Sequence, residues 1–160
     1  MYTEIQGDLY LGSALGAFFW GVMFGLFVWP IPRSLYAGWI RVLSAERYGM
    51  RVPIDRPDGA SSERFIGHFP RGLDLYLPGE CGVAELHTSF VVDAEQNYSV
   101  RGLSQQPTRV KRFLESIDLS YAPSRPAPLE TALAMEDRVY MGNGEQESVV
   151  EFLLLPKEEL

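Results

Sequence analysis

From Leu9 to Pro32 the chain carries no charged side chain, and Asp8 and Arg33 bracket the run. About 20 apolar residues at about 1.5 Å each suffice to cross a hydrocarbon core of about 30 Å. The pattern therefore predicts one transmembrane helix over 9–32, with Tyr10 and Trp29 near its ends, where amphipathic rings favour the headgroup level. Residues 1–8 contain Glu4 and Asp8 but no lysine or arginine, and no small-x-small site follows the run, which argues against a cleaved signal peptide. Arg33, Arg41, Arg47, Arg51 and Arg56 all follow it. Since the arginine-rich side tends to stay in the cytoplasm, 1–8 are expected outside and the remainder inside, in a single-pass inner-membrane topology. Gly12, Gly16, Gly21 and Gly25 form two Gly-x-x-x-Gly patterns that suit helix packing in a bilayer. Integral membrane partners are the expected consequence.

Pro30 and Pro32 predict the end of that helix. Beyond them Ser34 is a possible cap for a second one, and Leu35, Tyr36, Trp39, Ile40, Val42 and Leu43 fall on one side at helical spacing with Arg41 opposite. This predicts a short juxtamembrane amphipathic helix over 33–49, lying in the interface or against a membrane partner.

From about Gly49 the pattern changes to short runs of Val, Ile, Tyr and Phe separated by Pro, Gly, Asn and Asp. Such runs predict strands at 50–54, 64–69, 73–77, 84–92, 98–103, 110–121, 138–141 and 149–155, and a mainly β, antiparallel sandwich over 50–160. Residues 113–136 fit no single element, and Pro123, Pro126 and Pro128 mark an insertion-like loop.

Composition adjusts this picture in a few places. With 46% hydrophobic and 22% charged residues the chain reads as globular, and its net charge is −7. Residues 57–160 hold nine basic and seventeen acidic side chains, which disfavours nucleic acid. The one tight basic cluster, Arg109, Lys111 and Arg112, suits a solvated strand face. Cys81 is the sole cysteine, so no intrachain disulfide forms, and Cys81 with His87 lacks the paired spacing of a zinc site. No metal, no cofactor and no catalytic residue is expected. Neither His68 nor His87 sits in a nucleophile motif, no Gly-x-x-x-x-Gly-Lys loop occurs, and Gly142-Asn143-Gly144 reads as a hairpin turn.

The order of motifs is informative. Phe65-Ile66-Gly67-His68, Leu73-Asp74-Leu75-Tyr76-Leu77, Ala84-Glu85-Leu86-His87, Tyr98-Ser99-Val100-Arg101-Gly102-Leu103 and the segment Leu133-Ala134-Met135-Glu136-Asp137-Arg138-Val139-Tyr140-Met141-Gly142-Asn143 follow one another. This succession resembles the forkhead-associated (FHA) domain, whose pattern is an Ile-Gly-Arg turn, a Ser-Arg-x-His loop, an Asp-Leu segment leading to Asn-Gly and a late Gly-Asp-x-Ile-x-Ile-Gly strand. The resemblance covers roughly 50–156 and implies an FHA-like β-sandwich with recognition loops at one end.

The family binds phosphothreonine peptides, and a doubly charged phosphate calls for an arginine fork with hydroxyl or amide donors. At the position of the family's phosphate-contacting arginine this sequence has His68, at its serine Ala84, and at the next arginine Glu85. The segment around Ser104 and Gln105 lacks the family asparagine, and His87 alone survives from the loop motif. In the family that histidine mostly supports the loop. The resemblance thus implies a site degenerate for phosphothreonine, with Arg71 or Arg101 as replacement cations and His68, Ala84, Glu85, His87, Ser104 and Gln105 as the other loop candidates. Each of these residues also has an ordinary structural reading, as a turn histidine, a hydrogen-bonded core histidine or a surface charge.

The leading expectation is a membrane-anchored, non-catalytic interaction subunit that docks on a larger membrane complex. A phosphothreonine adaptor acting on a cytoplasmic phosphoprotein, and an unrecognised hydrolase, stay open beside it.

Overall fold

A computed structural model describes residues 2–28, 35–143 and 147–157; for 2–9, Phe27, Val28 and Cys81 it describes the backbone alone. The chain divides into two compact units, 1–35 and 36–160. Among the described residues the first holds one helix, α1 (Tyr2–Val28). Among the described residues the second holds eleven strands: β1 (Tyr36–Val42), β2 (Arg51–Pro53), β3 (Ser62–Gly67), β4 (Leu75–Tyr76), β5 (Thr88–Val92), β6 (Tyr98–Gly102), β7 (Thr108–Arg112), β8 (Glu115–Asp118), β9 (Leu129–Ala132), β10 (Arg138–Met141) and β11 (Ser148–Pro156).

The helix begins at Tyr2, earlier than the uncharged run suggests. Its described side chains, Tyr10 to Leu26, are exposed on every side, Leu11, Phe18, Phe19, Trp20 and Phe24 among them. A Cβ added at Gly12, Gly16, Gly21 or Gly25 meets no described atom within 4 Å. Among the described residues no helix is long and apolar enough to cross a membrane. Pro30, Pro32 and Ser34, assigned to a helix end and a cap, lie outside the described residues.

The predicted amphipathic helix over 33–49 is replaced by strand β1 and, at Ala45–Arg47, a single 3-10 turn. β1 lies between β2 and β11 and is buried on both faces. Ile40 and Val42 enter the main core, while Ala37 and Trp39 join Leu153 in a second cluster on the other face. An apolar run buried on two sides loses the period of two that marks a strand, and its spacing can mimic a helix face. Gly38 serves the sheet: a Cβ there would lie 2.3 Å from the Tyr98 ring.

The strands form two sheets, β2-β1-β11-β10-β7-β8 and β4-β3-β5-β6-β9, with antiparallel pairing throughout except for the parallel β3 and β4. Between them pack Ile66, Phe90, Val100, Val110, Val139, Met141, Val150 and Phe152, all buried. Loss of a side chain such as Phe152 from a core of this kind costs about 3–5 kcal/mol. Two interior carboxylates have close polar partners. Asp55 is 3% exposed, and its Oδ2 accepts from the Gly38 amide at 2.5 Å and the Tyr98 hydroxyl at 2.7 Å. Burial and then the bond to Asp55 hold the Tyr98 hydroxyl well above its usual pKa. Glu151, also buried, lies between Arg41 and Arg138.

Two further expectations change. The strand expected over 110–121 is a hairpin of β7 and β8 folded about Phe113 and Leu114, and β9 emerges from the unassigned 113–136 region. The strand expected over 84–92 begins only at Thr88.

Candidate functional site

The loops β3–β4 (68–74), β4–β5 (77–87) and β6–β7 (103–107) emerge at one end of the sandwich, and backbone bonds knit them together. Past the last ladder pair, Ile66 with Thr88, pairing continues into the loops: His87 N donates to Ile66 O, His68 N to Ala84 O and Phe69 N to Glu85 O, at 2.9, 3.0 and 3.3 Å. Gly67 is required for this approach, because a Cβ there would sit 2.1 Å from the Glu85 carbonyl oxygen. Gly82, at φ +72°, likewise lets the β4–β5 loop close on Asn143, whose amide nitrogen would be 2.9 Å from an added Cβ.

His87 sits at the centre, fully buried. Its Nδ1 accepts from the Ala84 amide at 2.9 Å, which places the ring proton on Nε2. Nε2 then faces the Thr108 hydroxyl at 3.0 Å and the Pro107 carbonyl at 3.3 Å. One neutral ring thereby ties the β4–β5 loop to the β6–β7 loop. Burial pushes its pKa down to about 4, only partly opposed by the bond to Pro107. Ser104 Oγ stands 3.5 Å from Nδ1 and accepts from Gln106 N at 3.0 Å. This is not a nucleophile and base: the Nδ1 lone pair is engaged by Ala84, and the groups around Nε2 are a carbonyl and a hydroxyl rather than a carboxylate.

The structure therefore brings His68, Ala84, Glu85, His87 and Ser104 together and leaves Gln105 exposed beside them. His68 is half-buried with its Nδ1 enclosed and without a hydrogen bond among the described residues, and its ring packs 3.2 Å from where a Gly79 Cβ would be. Arg71 is exposed on the β3–β4 loop. Arg101 is not a loop residue. It lies on β6 and is committed to Glu130 at 2.7 Å and Glu63 at 3.7 Å, on the surface of the five-stranded sheet. The basic cluster of β7 is likewise engaged: Arg109 pairs with Glu147, Arg112 with Asp137 at 2.9 Å, and Lys111 lies over the Tyr140 ring at 4.1 Å.

Loops from one end of two sheets in this strand order form a known architecture. The chain superposes on the FHA domain of the CT664 protein from Chlamydia trachomatis with a TM-score of 0.52 at 14% identity, over 73% of this chain and 96% of that one. It also superposes on the N-terminal FHA domain of S. cerevisiae Rad53p, solved with a phosphothreonine peptide, with a TM-score of 0.57 at 9% identity over 74% and 94%. The MEK1 FHA domain gives 0.51 at 13% identity over 82% and 99%. The β unit has the FHA fold. No protein-family model matches the sequence, and no curated protein matches it either.

Within that FHA fold the loop end departs from what a phosphate needs. Glu80 and Glu85 are exposed carboxylates, Arg71 is the exposed guanidinium of the β3–β4 and β4–β5 loops, and Ala84 has no hydroxyl. Phe69 and Leu86 project from the same two loops, 48% and 45% exposed. Sequence reasoning overlooked this apolar pair, whose signal was the position of each residue beside a loop motif, Phe69 after Gly67-His68 and Leu86 before His87. It also overlooked Thr108 and Pro107 as partners of His87. Among the described residues no group of three or more His, Cys, Asp or Glu is placed to hold a metal.

Proposed function

We propose that the protein is a membrane-anchored, non-catalytic interaction subunit whose FHA-fold loops hold a partner without reading phosphothreonine. One observation carries the loop half of this reading: the loop framework is kept, with His87 and Gly67 in place, while Ala84, Glu85 and His68 stand where phosphate donors would be. A surface of Phe69, Leu86, Glu80 and Glu85 favours apolar contact and repels a dianion. The anchor half is supported by the uncharged run from Leu9 to Pro32 and by the exposed apolar side chains along α1. The arginines after the run favour a cytoplasmic β unit, and the bare glycines of α1 favour helix partners in the same membrane.

Purification of the full chain in mild detergent, followed by identification of co-purifying proteins, is the direct test. A stable membrane partner is expected, lost on Phe69→Asp or Leu86→Asp if the loops carry the contact and on Gly16→Leu or Gly21→Leu if the helix does. No partner under any solubilising condition would sink the reading. The rival adaptor reading rests on Arg71, and retention from a phosphothreonine peptide library that dephosphorylation abolishes would favour it.

A further inference from the structure

The most exposed large apolar side chains of the β unit are at its other end. Phe113 is 97% and Leu114 91% exposed, and the two form the whole turn between β7 and β8, because Arg112 and Glu115 are the last ladder pair. Neither residue has the positive φ for which two-residue hairpin turns favour Asn, Asp or Gly, so the backbone demands no special side chain at either position. Phenylalanine and leucine offer that turn nothing, and they bury nothing here. Met135, 57% exposed, lies with Phe113 on one hollow of about 390 Å³.

The direction of the strands says what faces this turn. β1 is antiparallel to β11, β11 to β10 and β10 to β7, so the first residue of β1 and the last of β7 are at the same end. The chain coming from α1 thus enters the sandwich at Tyr36 on the end that bears Phe113 and Leu114. Three strand spacings separate β1 from β7, about 14 Å. Along the strands the turn falls about three residues short of Tyr36, about 10 Å, so a moderate tilt sets both on one plane.

We propose that the Phe113-Leu114 turn, with Met135 beside it, is a second membrane contact that dips into the bilayer and turns the recognition loops toward the cytoplasm. This rests on the anchor reading above. Lys111, Arg112 and Arg138 near the turn are offset by Glu115, Glu136 and Asp137, so the contact is apolar and insensitive to salt rather than a basic patch on anionic lipid.

The test uses the full chain in lipid nanodiscs, in a Cys81→Ser background, with an environment-sensitive dye on one introduced cysteine: Leu114→Cys at the turn, Ser124→Cys in the β8–β9 loop at the opposite end, or Phe18→Cys in α1. Dye at 114 should show blue-shifted emission, be quenched by lipids with doxyl-labelled chains at low and high salt alike, and lose both properties when Phe113→Asp is added. Dye at 124 should stay water-exposed. Quenching at 18 without quenching at 114 overturns the proposal and leaves the anchor standing. No quenching at 18 removes the anchor and the proposal with it. Dye at 114 shielded from aqueous iodide yet untouched by the doxyl lipids means that protein covers the turn, which also overturns the proposal.

Discussion

The two ends of the sandwich use opposite arrangements. At the loop end a buried histidine, close glycines and backbone bonds fix three loops, yet the side chains shown to solvent lack the donors such a frame usually presents. At the strand-entry end a bare two-residue turn shows two large apolar side chains with nothing holding them. One end is a built frame whose ligand chemistry has changed, and the other is ligand-like chemistry on the plainest of frames. Stability and recognition should therefore separate by end, and substitutions can be ranked by how far they break that separation.

The largest effect is expected at Gly67. An alanine there must displace the backbone at Glu85, since its Cβ would lie 2.1 Å from a carbonyl oxygen rather than from a flexible side chain. Gly67→Ala should cost about 3 kcal/mol, in the range of severe overpacking, measured by urea unfolding of the detergent-solubilised chain. An unchanged midpoint would show that the loops are not fixed as described.

Next is the pH response of His87. Its pKa is about 4 in the folded chain against 6.5 unfolded, so between those values the unfolded chain takes up a proton that the folded chain refuses. Stability should therefore fall as pH drops from about 6.5 to 4, by up to about 1.4 kcal/mol per pH unit from this one site, and be undiminished by it above 6.5. The groups the ring touches are uncharged: the Ala84 amide, the Pro107 carbonyl and the hydroxyls of Ser104 and Thr108. His87→Gln should flatten the profile in that window while lowering stability at pH 7 by about 1–3 kcal/mol through lost bonds. Equal slopes for both proteins would exclude a neutral, buried ring.

These expectations also mark what the sequence discloses. Short apolar runs bounded by turn residues locate β2, β10 and β11 nearly residue for residue, and the motif order implies the FHA fold. β1 escapes that logic: with both faces covered, its Trp39, Ile40 and Val42 show no period of two and imitate a helix. The β7–β8 turn escapes it too, since Phe113-Leu114 carries no turn residue and the strand reading runs straight through. At the site, loop membership follows from motif position for His68, Ala84, Glu85 and His87. Which cations remain unpaired does not, because the bond of Arg101 to Glu130 spans two strands that are 29 residues apart.

A middle-sized effect sharpens the loop end. If the frame is intact and only its chemistry has changed, then His68→Arg with Ala84→Ser and Glu85→Arg should give phosphothreonine binding without a new fold. A gain of at least about tenfold in affinity for phosphorylated over unphosphorylated peptide is expected, about 1.4 kcal/mol, by calorimetry or fluorescence anisotropy. A well-folded triple variant with no preference would mean that the loop backbone, and not merely its side chains, has left the phosphate-reading geometry.

The smallest effect belongs to the other end, and its smallness is the point. Phe113→Ser and Leu114→Ser remove side chains that are 97% and 91% exposed, so neither transfers apolar area out of the core and neither breaks a hydrogen bond. Both should leave the unfolding midpoint of detergent-solubilised protein within about 0.5 kcal/mol of the parent, as surface changes do. A loss above about 1 kcal/mol would mean that the turn packs against this chain and is part of its stability. Near-zero loss leaves two large apolar side chains that do nothing for the fold and are shown to solvent at one end of it, which is the property of a contact surface.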